Sequence, residues 1–147
     1  MIIRDAALPD AAEIARLTAE LGYSANPEQI TTRLARLGDW QKQIVLVAVL
    51  DGKIAGWIQA QASEVLESGF RAEIVGLVVG GDFRRRGVGR ALVAAAERWA
   101  IGAGAPVIVV RSNAQRVESH LFYPVLGYVA SKTQAVYRKP LPPAAHG

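Results

Sequence analysis

Cysteine is missing from all 147 residues. That excludes disulfides, thiolate metal sites and a cysteine nucleophile. Histidine occurs only as His120 and His146, too thinly for a histidine-rich metal site, so no metal is expected. No window reaches the ~18 consecutive apolar residues of a membrane span. The first ten residues, MIIRDAALPD, lack a basic stretch followed by an apolar one. No signal peptide is therefore read, and the expected setting is the cytoplasm, away from membranes. Internal repeats, low-complexity blocks and linkers are also missing. What remains suits one domain over residues 1–141 with a frayed tail at 142–147. Apolar residues make up 51% of the chain, enough for a sizeable core. The net charge of +4 favours an anionic partner, whether nucleic acid, acidic protein or phosphorylated cofactor.

The elements follow from local pattern. Ile2–Arg4 reads as a short strand. Pro9 suits the first turn of a helix, and Ile14, Leu17 and Leu21 repeat at helical spacing up to Gly22. Asn26-Pro27-Glu28-Gln29 has the form of a capped helix start, followed by the stripe Ile30, Leu34, Leu37. IVLVAVL (44–50) and KIAGWIQAQ (53–61) read as strands around an Asp51-Gly52 hairpin turn. SEVLESG (63–69) reads as a loop and AEIVGLVV (72–79) as a strand. Val88, Leu92, Ala96 and Trp99 give the next helix an apolar face, which GAGAP (102–106) stops. VIVVR (107–111) is a strand. Ser112 and Gln115 open a helix ending near Gly127, and YVASKTQAVYRK (128–139) alternates as a last strand. The order predicts an α/β or α+β domain with strand–helix–strand crossovers in its second half.

GGDFRRRGVGRAL (80–92) joins the strand ending near Val79 to the helix beginning near Gly87. Helix N-termini present unpaired N–H groups and the positive end of the dipole, a ready site for phosphate. Gly87 and Gly89 let the backbone approach a ligand, and Arg84, Arg85, Arg86 and Arg90 add positive charge. A Walker loop would need G-x-x-x-x-G-K-S/T, and no Lys-Ser or Lys-Thr follows these glycines. A dinucleotide fingerprint would need glycine or alanine where Leu92 stands, and an acidic residue near Val109. Neither fits. The arginine cluster has no aromatic interleaving or recognition-helix pattern, which argues against nucleic acid.

Arg84-Arg85-Arg86-Gly87-Val88-Gly89 resembles the Gln/Arg-x-x-Gly-x-Gly/Ala signature of the GNAT superfamily of acetyl-CoA-dependent N-acetyltransferases. The strand before it and the amphipathic helix after it match that family. LFYPVLGY (121–128) is similar to the family's second motif, a tyrosine four residues before a glycine and an aromatic. The resemblance runs from Ile2 to about Leu141. It implies a mixed, mostly antiparallel sheet of six to seven strands flanked by four helices. It implies a pyrophosphate held by backbone N–H groups of Arg85, Arg86, Gly87, Val88, Gly89 and Arg90. It implies a pantetheine arm lying along Leu77, Val78 and Val79 like an added strand. Many members carry an asparagine seven residues before the motif tyrosine. Here that position is Arg116, and Asn113 lies at the preceding strand end, so either is a candidate cofactor contact.

The chemistry implied makes two demands. A lysine-like amine is neutral about once in 2,500 molecules at pH 7, a cost near 4.6 kcal/mol, so a base helps. Glu73 has the spacing to the signature of the base in the family's histone-acetylating branch; Glu64, Glu67 and Glu118 are its rivals. The departing coenzyme A thiolate needs a proton, and Tyr123 matches the family's general acid. His120, one turn earlier, can shuttle a proton. No cysteine and no G-x-S-x-G elbow are present, so direct transfer within a ternary complex is expected. The acceptor is an amine on a small molecule or a protein, bordered by GYSAN (22–26), SEVLESGF (63–70) and the 128–138 strand. Glu64 and Glu67 would suit a cationic amine. A non-catalytic acyl-CoA sensor of the same fold is the alternative, and a homodimer is left open.

Overall fold

A computed structural model of the chain describes residues 1–37, 42–111, 122–132 and 134–144. The chain divides into two units, Met1–Arg111 and Ser112–Gly147. The first unit runs β1 (Ile2–Asp5), α1 (Ala11–Glu20), α2 (Pro27–Leu37), β2 (Gln43–Leu50), β3 (Lys53–Val65), β4 (Gly69–Val79), α3 (Val88–Gly102) and β5 (Ile108–Val110). Short 3-10 turns cover Leu8–Asp10 and Gly81–Phe83. The sheet order is β1-β2-β3-β4-β5, antiparallel except for the parallel β4–β5 pair.

Local chemistry sets the starts of the elements. Asn26 Oδ1 accepts the Gln29 N–H at 2.8 Å, and Gln29 Oε1 accepts the Asn26 N–H at 3.3 Å. This is the reciprocal cap read from the sequence, with Pro27 at the first helical position. Before α1, Asp10 accepts two hydrogen bonds from Arg4, at 2.8 and 3.0 Å, and one from the Ala7 N–H at 2.7 Å. Arg4, with Ala7, holds the Asp10 carboxyl below its ordinary pKa range against the opposing effect of burial. Asp51 and Gly52 both take positive φ, as a two-residue hairpin turn requires.

The two sheet faces carry different helices. Ile14 and Leu17 of α1 and Ile30 of α2 bury against Val47, Ile54 and Val78, with Trp57 at the margin. On the opposite face α3 lies directly on β3. A Cβ added to Gly56 would stand 3.1 Å from Val88 and 3.3 Å from Leu92, both fully buried. Truncating Leu92 there would cost roughly 2–5 kcal/mol.

Three expectations change. SEVLESG is mostly strand: the ladder continues through Ser63↔Arg71, Glu64↔Phe70 and Val65↔Gly69, leaving only 66–68 as the turn. Cross-strand pairing outweighs the polar composition there. Among the described residues the sheet has five strands rather than six to seven. Residues 128–132 and 134–139, expected as the last strand, form none; Val129, Val136 and Tyr137 are exposed, so their alternation buries no face. Four helical segments are present, α1 to α3 and residues 122–125, as expected; the start of the last, near Ser112, lies outside the described residues. No helix among the described residues is long and apolar enough to cross a membrane.

Candidate active site

Among the described residues β4 is paired on both edges only in part. β5 meets it at Ala72, Glu73 and Ile74, and β4 then continues to Val79 with no further β5 partner. The departure coincides with a bulge. Gln59 pairs with Gly76 and Ala60 with Ile74, so Val75 is an extra residue facing no partner. Bulges bend a strand and end its pairing. The backbone direction follows by alternation. The Gly80 N–H donates to the Ala55 carbonyl at 2.8 Å, so Gly80, Val78 and Gly76 turn their backbone groups toward β3. The N–H and C=O groups of Leu77 and Val79 turn to the open edge. The Val78 side chain is buried in the α1–α2 core.

The open edge runs straight into the arginine loop. Glu20 at the end of α1 accepts the Gly81 N–H at 3.0 Å, tying the loop's first turn to the helix. Arg85 and Gly87 both take positive φ, 63° and 78°. For arginine this conformation costs of order 1–3 kcal/mol, strain that gathers at ligand clamps. Sign changes of φ along a loop are the device by which successive N–H groups form an anion-binding concavity. Gly87 is the N-cap of α3, and no side chain among the described residues caps that helix. Among the described residues, a Cβ on Gly87 would meet nothing beyond its chain neighbours and the backbone of its own helix within 4 Å. Arg84, Arg85, Arg86 and Arg90 are exposed around it. Arg86 reaches Asp51 of the β2–β3 hairpin at 3.2 Å. The loop therefore combines uncapped N–H groups, a helix dipole and surplus guanidinium charge, which together suit a polyphosphate.

Glu73 stands in the doubly paired half of β4, with its side chain only 12% exposed. Its Oε1 lies 3.7 Å from Nη2 of Arg71 and 3.6 Å from Nη2 of Arg111. It is thus an ion-paired carboxylate facing two guanidinium groups. Its sequence rivals are elsewhere: Glu64 is exposed on β3 and Glu67 in the following turn. Glu118 lies outside the described residues.

In the second unit, residues 122–125 are helical and Gly127 takes a φ of 94°. The Tyr128 N–H donates to the Tyr123 carbonyl at 3.1 Å, and the Gly127 N–H to the Pro124 carbonyl at 3.0 Å. These are the two bonds of a Schellman helix end. The Tyr123 and Tyr128 rings meet edge to face at 5.6 Å, the apolar contact that accompanies such an end. The spacing of LFYPVLGY thereby gains a physical reason: tyrosine three residues inside the cap, glycine at the left-handed position, aromatic after it. The Phe122 ring lies 5.0 Å from that of Tyr123. Asn113, Arg116 and His120 lie outside the described residues.

Sequence reasoning missed Arg71, Arg111, Trp57 and Gly76. The Trp57 indole N–H donates to Thr18 Oγ1 at 3.1 Å, and its ring lies over Gly76, where a Cβ would come within 2.8 Å of it. Trp57, Gln59 and Gln61 alternate along β3, a signal that one sheet face turns from aromatic to polar. The two arginines carried no comparable sign: Arg71 stands two residues before Glu73 on β4 itself, and Arg111 meets it only through the parallel crossover to β5.

The Acetyltransferase (GNAT) family model matches residues 10–128. An aminoglycoside N(6')-acetyltransferase type 1 of Stenotrophomonas maltophilia is 29% identical over 149 residues, covering 97% of this chain and 95% of that protein. A transcriptional regulator from Bacillus halodurans C-125 superposes with a TM-score of 0.86 at 23% identity, over 94% of this chain and 99% of that one. The aminoglycoside N-acetyltransferase AAC(6')-Iy in complex with CoA superposes with a TM-score of 0.84 at 20% identity, over 94% and 93%. At these identities the structural likeness is one of fold.

Proposed function

The chain belongs to the acetyltransferase (GNAT) family, which takes its acetyl group from acetyl-CoA, and from that premise we propose how this member binds the donor and which groups serve the transfer. The observation that carries the reading is the continuity of the open half of β4 with the uncapped start of α3. The pantetheine arm pairs with the edge groups of Leu77 and Val79. Val78 between them anchors the strand in the core. The pyrophosphate sits on the N–H groups of Arg85 to Arg90. Arg84 and the neighbouring arginines supply diffuse charge. The thioester carbonyl then lies beside an N–H of the open edge, a contact that strengthens as its oxygen becomes negative.

The acceptor is a primary amine on a small molecule, met in the cytoplasm. The curated relative's name points to an aminoglycoside amine, which sets the class as amine rather than alcohol or thiol. Transfer is direct. The amine nitrogen attacks the thioester carbon, the C–S bond breaks, and the amide forms. The surplus ammonium proton leaves through water to Glu73. The thiolate takes a proton from the Tyr123 hydroxyl, with His120 able to relay one. Asn113 and Arg116 remain as candidate side-chain contacts to the cofactor.

Incubation with acetyl-CoA and a panel of primary amines, reading released thiol, tests the function. Thiol release that depends on the amine is expected. Binding of acetyl-CoA with no amine-dependent release across the panel would contradict catalysis and favour a sensor.

A further inference from the structure

Past the cover of α1 and α2, the sheet face that carries Trp57 becomes polar. Gln43, Gln61 and Glu73 stand in one cross-strand row that ends at Val109. Gln59, Arg71 and Arg111 each lie two residues along a strand from a member of that row. They therefore project from the same face. Gln43 donates to Gln61 at 3.1 Å and accepts from Gln59 at 3.5 Å, so the three amides hold one another in place. Among the described residues the charged members do not balance: two guanidinium groups face one carboxylate.

The geometry of those three groups is that of a site with capacity to spare. The Arg71 and Arg111 contacts to Glu73, at 3.7 and 3.6 Å, exceed the ~2.7–3.2 Å of an N–H···O hydrogen bond. Among the described residues, guanidinium donors thus remain for another acceptor. The Arg111 side chain is 63% exposed and accessible to one. Position matters as well. Glu73 lies two residues before the bulge at Val75, and a strand rises about 3.3 Å per residue. The Glu73 backbone therefore stands within about 13 Å of the open-edge groups at Leu77.

A polycation such as an aminoglycoside would meet net positive charge here. A compound with both signs close together would not. We propose that the acceptor is an amino-acid-like small molecule, an amine carrying a carboxylate a few bonds away. Its ammonium faces Glu73 and its carboxylate takes the free donors of Arg111, with Arg71 behind. Bidentate pairing of guanidinium and carboxylate fixes the orientation of the amine. The proposal rests on the amine-acetyltransferase reading above and names its substrate class.

The test uses the full chain, acetyl-CoA and matched acceptors: lysine against cadaverine, ornithine against putrescine, and kanamycin as the polycation. The carboxylated member of each pair is expected to have a kcat/KM higher by about 10- to 100-fold, the scale of a hydrogen bond to a charged group. Arg111→Gln, at an exposed position, should collapse that ratio toward one by raising KM for lysine and ornithine. Arg111→Lys should restore part of it. Equal or better acetylation of cadaverine or kanamycin, with a ratio that Arg111→Gln leaves unchanged, would overturn the proposal while the transferase reading stands. Acetyl-CoA binding with no acetylation of any acceptor would overturn both.

Discussion

The two halves of β4 differ in what their backbone has left to bond. From Ala72 to Ile74 the strand pairs with β3 on one edge and β5 on the other. The Ala72 N–H, for example, already donates to the Val107 carbonyl at 3.0 Å. From Val75 to Val79 only the β3 edge is paired among the described residues. One strand thus does two jobs. Its first half is sheet interior and positions the side chain of Glu73. Its second half turns main-chain groups to an edge that no described residue pairs, while Val78 stays locked in the core. An edge left open in a sheet interior invites another chain to add to it. Here the arginine loop follows at once, which suits an extended ligand with a polyphosphate end.

The comparison can be broken at the loop with the largest effect. Gly89→Val should abolish acetyl-CoA binding by calorimetry, because the branched side chain would enter the space proposed for the pyrophosphate. Gly89 serves better than Gly87, where φ of 78° strains any side chain whatever the ligand does. A folded Gly89→Val protein with unchanged affinity would remove the loop from the cofactor site. Next in size is Tyr123→Phe. It should lower the single-turnover transfer rate by about 10²–10⁴-fold, with acetyl-CoA affinity little changed because the ring remains. A wild-type transfer rate would reduce that hydroxyl to packing. The smallest effect is expected at the junction of the two halves. Gly76→Val places its Cβ against the Trp57 ring, at 2.8 Å before relaxation. A cost of about 1–3 kcal/mol is expected in denaturant unfolding. Full stability would mean that Trp57 moves freely and does not set the floor of this face.

Much of the scaffold was legible because its signals are local. Asn26 with Gln29, Asp51-Gly52, and the glycines opening α3 and closing at Gly127 each act within a few residues. The loop of residues 80–87 was legible for the same reason. The open edge was not. AEIVGLVV is apolar throughout, so its composition hides the bulge at Val75, and a single extra residue changes which backbone groups face outward. Nor could Arg71, Glu73 and Arg111 be seen to converge. Arg111 reaches Glu73 only because β5 returns parallel to β4 after a whole helix. The alternation of 128–139 misled in the opposite direction: period two marks what a strand would bury, and gives no partner edge to bury it against.

Amide hydrogen exchange with and without coenzyme A tests most directly whether β4 is divided in this way. On binding, the N–H groups of Leu77 and Val79 and those of Arg85 to Arg90 should exchange more slowly, while Ala72, already bonded to β5, should not change. Unchanged exchange at Leu77 and Val79 in the saturated protein would contradict the account, and so would protection that falls instead on the doubly paired half of β4.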